Sequence, residues 1–305
     1  MSARKPLDLF ALSVMVALCL AWGFQQIAVK LIAADITPVM QMAVRSAIAA
    51  VVLGLMTLRN EGRGAFADGT LPAGLLVGLL FGLEFLFIAQ GLVLTSASHM
   101  VVFLYSAPIF SALGLHLRFR DERLRPLQWA GVLVAFGGIA VSFLGAGDQV
   151  GRNMLIGDAM GLLAGLAWGL TTVAIRGSRL SDAPAVKTLF YQVAFAGVML
   201  LAIAALRGEM GVNLTPGVAL NLGFQTIVIT LVSYVIWFWL LRKYLASRLS
   251  ILSFLTPLFG VMFSVVVLHE PLEPAFVAGA LLVLVGISLV SGAELLRDRL
   301  GRAAL

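Results

Sequence analysis

The sequence predicts an all-α polytopic membrane protein, with ten transmembrane helices arranged as two inverted five-helix repeats. Composition is the first reason. Of 305 residues, 61% are hydrophobic and 12% charged, with mean hydropathy +1.03; one soluble core cannot bury that much apolar surface. Ten apolar runs, each near the ~20 residues a spanning helix takes, are separated by short polar gaps. The chain also repeats itself. Ala97-Ser98 and Pro108 return as Ala246-Ser247 and Pro257, 149 residues on, and Glu122, Pro126, Gly131 and Gly138 return as Glu270, Pro274, Gly279 and Gly286, 148 on. A long internal period sets the architecture before any single residue is read.

Taken in order, the expected spans of the first half are 7–33, 38–58, 72–94, 98–117 and 126–144. Those of the second are 154–175, 184–206, 216–241, 246–268 and 274–295. Pro38, Pro72, Pro126, Pro184, Pro216 and Pro274 stand at span starts, where a missing N–H costs a helix nothing. Trp22-Gly23 in the first span is echoed by Trp168-Gly169 in the sixth. The halves are therefore 1–147 and 151–305.

Basic residues orient the spans. With the N-terminus inside, seventeen of the 21 Lys and Arg residues, among them Arg4, Lys5, Arg63, Arg123, Arg179, Lys243 and Arg248, fall on the inner side. Lys30, Arg152 and Arg207 fall outside, and Arg45 lies within a span. Both termini are then cytoplasmic. Five spans per half is an odd number, so the second half enters the membrane upside down, the plan of a secondary transporter. A sequence pI near 10 reflects these basic inner loops rather than nucleic-acid binding. Arg4-Lys5 before an apolar run also fits a signal peptide, but the run is too long for one. Cys19, inside the first span, supports neither a disulfide framework nor a metal cluster.

The paired Trp-Gly segments, Pro38 followed by Arg45, Ser96-Ala97-Ser98 before the fourth span, Pro108 within it, and Glu122 followed by Gly131 and Gly138 resemble the EamA repeat. The chain is similar to ten-helix members of the drug/metabolite transporter superfamily, and among them to YddG-type amino-acid exporters of bacterial inner membranes. The resemblance covers nearly the whole chain, twice. It implies export of aromatic and other neutral amino acids by alternating access, and a cavity wrapped by spans one, three, four, six, eight and nine. Drugs or other small metabolites are the alternative cargo. The second half departs from the pattern at Tyr191, where Arg45 would repeat.

Ionisable groups at bilayer depth are expensive and so become site candidates. Arg45 and Glu84 approach the outer side from neighbouring spans, either as a structural ion pair or with Glu84 contacting substrate or carrying a proton. His99 opens the fourth span, as a gate or proton relay or as a residue of the headgroup zone. Trp22, Phe103, Trp168, Tyr234 and Trp237 are candidate cavity walls. Gln25, Gln26, Thr171 and Thr172 offer neutral hydrogen-bond partners. Pro108 and Pro257 interrupt mid-span backbone bonding and are candidate hinges. Glu122 and Glu270 read as capping or loop ion-pair residues. A membrane enzyme would need clustered ligands or acid–base pairs; His269-Glu270 lacks the second histidine of a zinc-protease motif, and no other His, Asp or Glu pair stands out. No catalytic residue, metal or cofactor is expected. The expected partners are an amino-acid substrate and membrane lipids, with protons left open as a coupling ion; a channel or a structural membrane protein is the remaining alternative.

Overall fold

The computed structural model describes residues 8–62, 64–144, 151–244, 249 and 252–303. Arg4, Lys5, Arg63, the junction at 147 and the repeat elements Ala246, Ser247 and Arg248 lie outside them. Helices follow the proline and cap signals closely. In chain order they are α1 (Leu9–Leu31), α2 (Pro38–Glu61), α3 (Leu71–Leu94), α4 (Ala97–Leu104), α5 (Ala107–Arg118), α6 (Pro126–Leu144), α7 (Arg152–Arg176) and α8 (Ala185–Leu206). Then come α9 (Pro216–Gly223), a π-helical segment (Phe224–Val232), α10 (Ser233–Lys243), α11 (Leu255–Leu268) and α12 (Pro274–Ala303). Asp8, Thr37, Ser96 and Thr215 cap their helices by accepting from the backbone N–H three residues on, satisfying donors that a helix start leaves free.

Among the described residues, seven helical stretches are long and apolar enough to cross a membrane: Leu9–Leu31, Pro38–Glu61, Leu71–Leu94, Ala97–Arg118, Arg152–Arg176, Ala185–Leu206 and Pro216–Trp237. Three more apolar helical segments, Pro126–Ser142, Leu255–Leu268 and Pro274–Val290, are shorter. Leu75, Val198, Leu220, Val235 and Leu281 leave at least half of their surface exposed, an outer face suited to lipid. The chain is a multi-pass helical membrane protein.

The fourth span is not one helix. It stops at Leu104 and restarts at Ala107, with Pro108 in the first turn of α5, where it removes no helical bond. Ser106 covers the break by donating its hydroxyl 2.6 Å to the Phe103 carbonyl. Pro257 likewise sits in the first turn of α11, fully inside the protein. Both candidate hinges therefore mark helix starts, not kinks in continuous helices.

The extensive helix contacts join one half of the sequence to the other: α2 with α8, α3 with α7 and α8, α1 and α4 with α11, α4 and α5 with α7, and α6 with α12. Glycine makes the last crossing possible. A side chain on Gly131 would lie 2.7 Å from the Gly286 carbonyl oxygen, and one on Gly138 would lie 2.5 Å from that of Gly279. Those are the four repeat-related glycines, and they let two backbones touch where the driving force is packing, not hydrophobicity.

Candidate functional site

A charge in the middle of a spanning helix costs ~2.5–3.5 kcal/mol on insertion scales, so the groups around Arg45 and Glu84 have to offset that cost or leave it for a ligand. Arg45 is 1% exposed and Glu84 6%. The guanidinium carbon sits 4.4 Å from the centroid of the Phe85 ring, a contact worth ~2 kcal/mol when desolvated. Nη1 and Nη2 lie 3.1 and 3.2 Å from the Gln25 side-chain amide; a guanidinium only donates, so the amide oxygen faces it. Among the described residues, Arg45 Nε and Glu84 Oε2 have no hydrogen-bond partner. The expected Arg45–Glu84 ion pair is not formed. Phe85 takes the face of the guanidinium and Gln25 its fork, so that Arg45, Glu84 and Tyr234 influence one another through space while Arg45 and Glu84 share no direct bond.

Tyr105 and Tyr234 lie within electrostatic reach of Glu84, and aromatic pairs stand beside them. Trp22 donates its indole N–H to Ser233 Oγ at 2.9 Å and meets Trp237 edge to face, with centroids 5.7 Å apart. Tyr105 meets Trp168 the same way at 5.5 Å. Trp22, Gln25, Trp168, Tyr234 and Trp237 are all half-buried. The π-helical segment packs against α1 and α2. Thr230 donates to the Gln225 carbonyl five residues back, at 3.0 Å, and wide turns of this kind recur at functional sites. No composition signal in the sequence marks that segment.

Behind the segment runs a glutamine ladder that sequence reasoning missed. Gln225 Nε2 donates to Gln41 Oε1 and Asn221 Oδ1, both at 2.9 Å, while Gln41 Nε2 donates to the Val29 and Ile36 carbonyls. Asn221 donates to the Ala28 carbonyl at 3.0 Å. Gln26, inside the protein, keeps Oε1 without a partner. Amides inside apolar spans were the available signal.

Four expected site residues, Phe103, Thr171, Thr172 and His99, have their groups engaged within the fold. Phe103 has no exposed surface and packs against Phe276. Thr171 is 4% exposed and spends its hydroxyl on the Ala167 carbonyl one turn back, at 2.9 Å, a bond that threonine readily makes within a helix; Thr172 does the same with Trp168. His99 lies near the start of α4, inside the protein. It is 3% exposed, with Nδ1 2.9 Å from Asp158 Oδ2, Nε2 3.1 Å from Glu273 Oε2, and its ring stacked 3.7 Å from that of Phe276. Here a suitably placed acid–base cluster exists after all, built from residues that no local motif connects.

Beside it, Lys30 Nζ donates at 2.7 Å to both Glu270 Oε1 and the Thr95 carbonyl. Glu270 Oε2 accepts from the Ala97 N–H at 2.8 Å and from the Ser264 hydroxyl. A carboxylate there complements the positive end of α4. His269 adopts the left-handed conformation (φ 55°) that turns the chain after α11 and delivers Glu270. Glu270 is thus a capping residue, and Glu122 pairs with Arg176 at 3.5 Å, as the sequence suggests. At the opposite end of α2, Lys187 bonds Asp68 at 2.6 Å and Glu61 at 3.2 Å. Lys187 and the Thr70 hydroxyl, both donating to it, hold the Asp68 carboxyl well below the usual carboxylate range. Tyr191, in place of a second Arg45, contacts the Thr70 hydroxyl at 3.0 Å from the same end.

The chain belongs to the EamA-like transporter family, whose profile matches residues 9–144 and again 155–292. It is 30% identical to an uncharacterized transporter of Synechocystis, over 92% of this chain and 89% of that one. It is 24% identical to the uncharacterized transporter YoaV of Bacillus subtilis, over 89% and 93%. A probable amino-acid metabolite efflux pump of Salmonella typhimurium is 26% identical over 71% of this chain and 76% of that one. A solved crystal structure shares the fold at a TM-score of 0.62 and 20% identity, covering 94% of this chain and 97% of its own.

Proposed function

We propose that this chain is a secondary transporter of the bacterial inner membrane that exports aromatic and other neutral amino acids by alternating access. Its ten spans form two inverted repeats, 1–147 and 151–305, with both termini in the cytoplasm, as the seventeen-to-three division of basic residues favours. The observation that carries the reading is the unbonded Arg45–Glu84 arrangement. An amino acid carries a carboxylate that suits the free Arg45 Nε and an ammonium that suits Glu84 Oε2. Half-buried Trp22, Trp168, Tyr234 and Trp237 give an apolar side chain apolar walls. Gln25 shares Arg45 and completes the polar floor. The Salmonella relative, by its name, handles amino-acid metabolites.

The test is counterflow of labelled L-phenylalanine into proteoliposomes preloaded with members of an amino-acid panel. Saturable exchange, strongest with aromatic members, is expected. Non-saturable flux would make the protein a channel. Exchange with other metabolites but no amino acid would move the cargo to the drug and metabolite class.

A further inference from the structure

His99 touches a carboxylate with each ring nitrogen, and the hydrogen-bond count does not close without an additional proton. A neutral imidazole has one donor nitrogen and one acceptor nitrogen, while an ionised carboxylate only accepts. Between two ionised carboxylates a neutral His99 would set a bare nitrogen against a bare oxygen at 2.9 or 3.1 Å. The side chain is 3% exposed, and such a mismatch inside a protein is costly. We propose that His99, Asp158 and Glu273 form the site at which this transporter binds and releases a coupling proton, carried by His99. This rests on the transporter reading above.

The surroundings isolate the site. Asp158 comes from α7, where its other oxygen accepts from the Thr95 hydroxyl that follows α3. Glu273 precedes α12, and Phe276 from α12 covers the ring. Lys30 of α1 and Glu270 after α11 neutralise each other, and α4 carries no other titratable group. The three members are therefore held by helices from both halves of the sequence. When α4 moves away from Glu273, Nε2 meets water and its N–H bond breaks heterolytically. The proton passes to water, the electron pair stays on the imidazole, and the cluster's net charge falls from −1 to −2. Closing this end of the bundle requires a proton to return. Glu273 is one-third exposed, which gives the proton a path.

Glu273→Gln isolates the step. A glutamine NH2 donates to a bare Nε2, so the contact survives with one proton fewer. In proteoliposomes, wild type should accumulate labelled L-phenylalanine against its gradient when a pH gradient is imposed. Glu273→Gln should keep exchange but lose that accumulation to the level of protein-free vesicles, and Asp158→Asn should do the same if it folds. Gradient-driven accumulation that persists in Glu273→Gln overturns the proposal. A second measurement, NMR of 15N-histidine protein over a pH series, needs no transport. His99 should change protonation in wild type and hold one neutral tautomer in Glu273→Gln; a wild-type His99 that stays a single neutral tautomer overturns the proposal. If phenylalanine does not move at all yet His99 titrates as described, it is the cargo assignment that fails.

Discussion

Trp22 donates its indole proton to Ser233, the residue that occupies in the second half the position Glu84 occupies in the first. The repeat is therefore broken where it matters. A carboxylate is contributed by one half only, and its counterpart is a hydroxyl already engaged with Trp22 and with the Ile229 carbonyl. In the proposed function, Glu84 meets one cargo charge and Arg45, whose own counterpart is Tyr191, meets the other.

Replacing Glu84 by Gln tests that division. Removing one member of a bonded buried pair costs ~3–5 kcal/mol. Arg45 is instead held by Gln25 and Phe85, so Glu84→Gln should change stability by less than ~1 kcal/mol while abolishing exchange. Thermal unfolding in detergent and counterflow give the two readouts. If Arg45→Met with Glu84→Met transports normally, neither charge reads the cargo.

If the proposed cargo site is right, Trp168→Ala should weaken export of bulky amino acids more than small ones, because half-buried Trp168 packs on Tyr105, which lies within electrostatic reach of Glu84. The comparison is counterflow of phenylalanine against alanine at matched expression. An equal loss for both would assign Trp168 to packing alone.

Orientation is checked with single cysteines in a chain whose one native cysteine, Cys19, is buried. Ala34 and Asn60 are exposed just beyond and just inside the two ends of α2. An impermeant thiol reagent applied to intact cells should label Ala34→Cys, and should reach Asn60→Cys only after permeabilisation. The reverse pattern would invert the topology.

Asp68→Asn should loosen the corner where the linker before α3 meets Lys187, seen as faster proteolysis between residues 62 and 70 at neutral pH. The pH sign follows from the depressed carboxyl. Its contribution is complete above the unfolded value of about 4 and is lost as pH falls below it. The gap between wild type and Asp68→Asn should therefore be constant at neutral pH and shrink in acid.

Helix starts were legible because proline and the capping residues act locally, and Arg45 and Glu84 were legible because a charge stands out in an apolar run. Their relationship was not. Spacing along two helices gives a shared depth, but only the side chains of Gln25 and Phe85 decide that the pair stays apart. The His99 cluster was hidden for another reason, since its carboxylates lie 59 and 174 residues away in sequence. Asp158, an acidic residue inside the sixth span, carried a signal that was overlooked. The π-helical segment carried none, because a turn widened by one residue alters bonding without altering composition. Thr171 and Phe103 show the converse, residue types that suit a binding wall but whose hydroxyl and ring are used up within the fold.

The interlocking of the two halves bears on how the protein is made. Synthesis proceeds from the N-terminus, so α1 to α6 enter the bilayer before α7, α8, α11 and α12, the helices they pack against, have been translated. During that interval Gly131 and Gly138 lack the α12 backbone they touch in the finished protein, and the helices of Arg45 and Glu84 lack their partners α7 and α8. Assembly is therefore a late event, completed only when the last helix arrives, and a ribosome that stalls after residue 144 leaves in the membrane a half that has nothing to close upon.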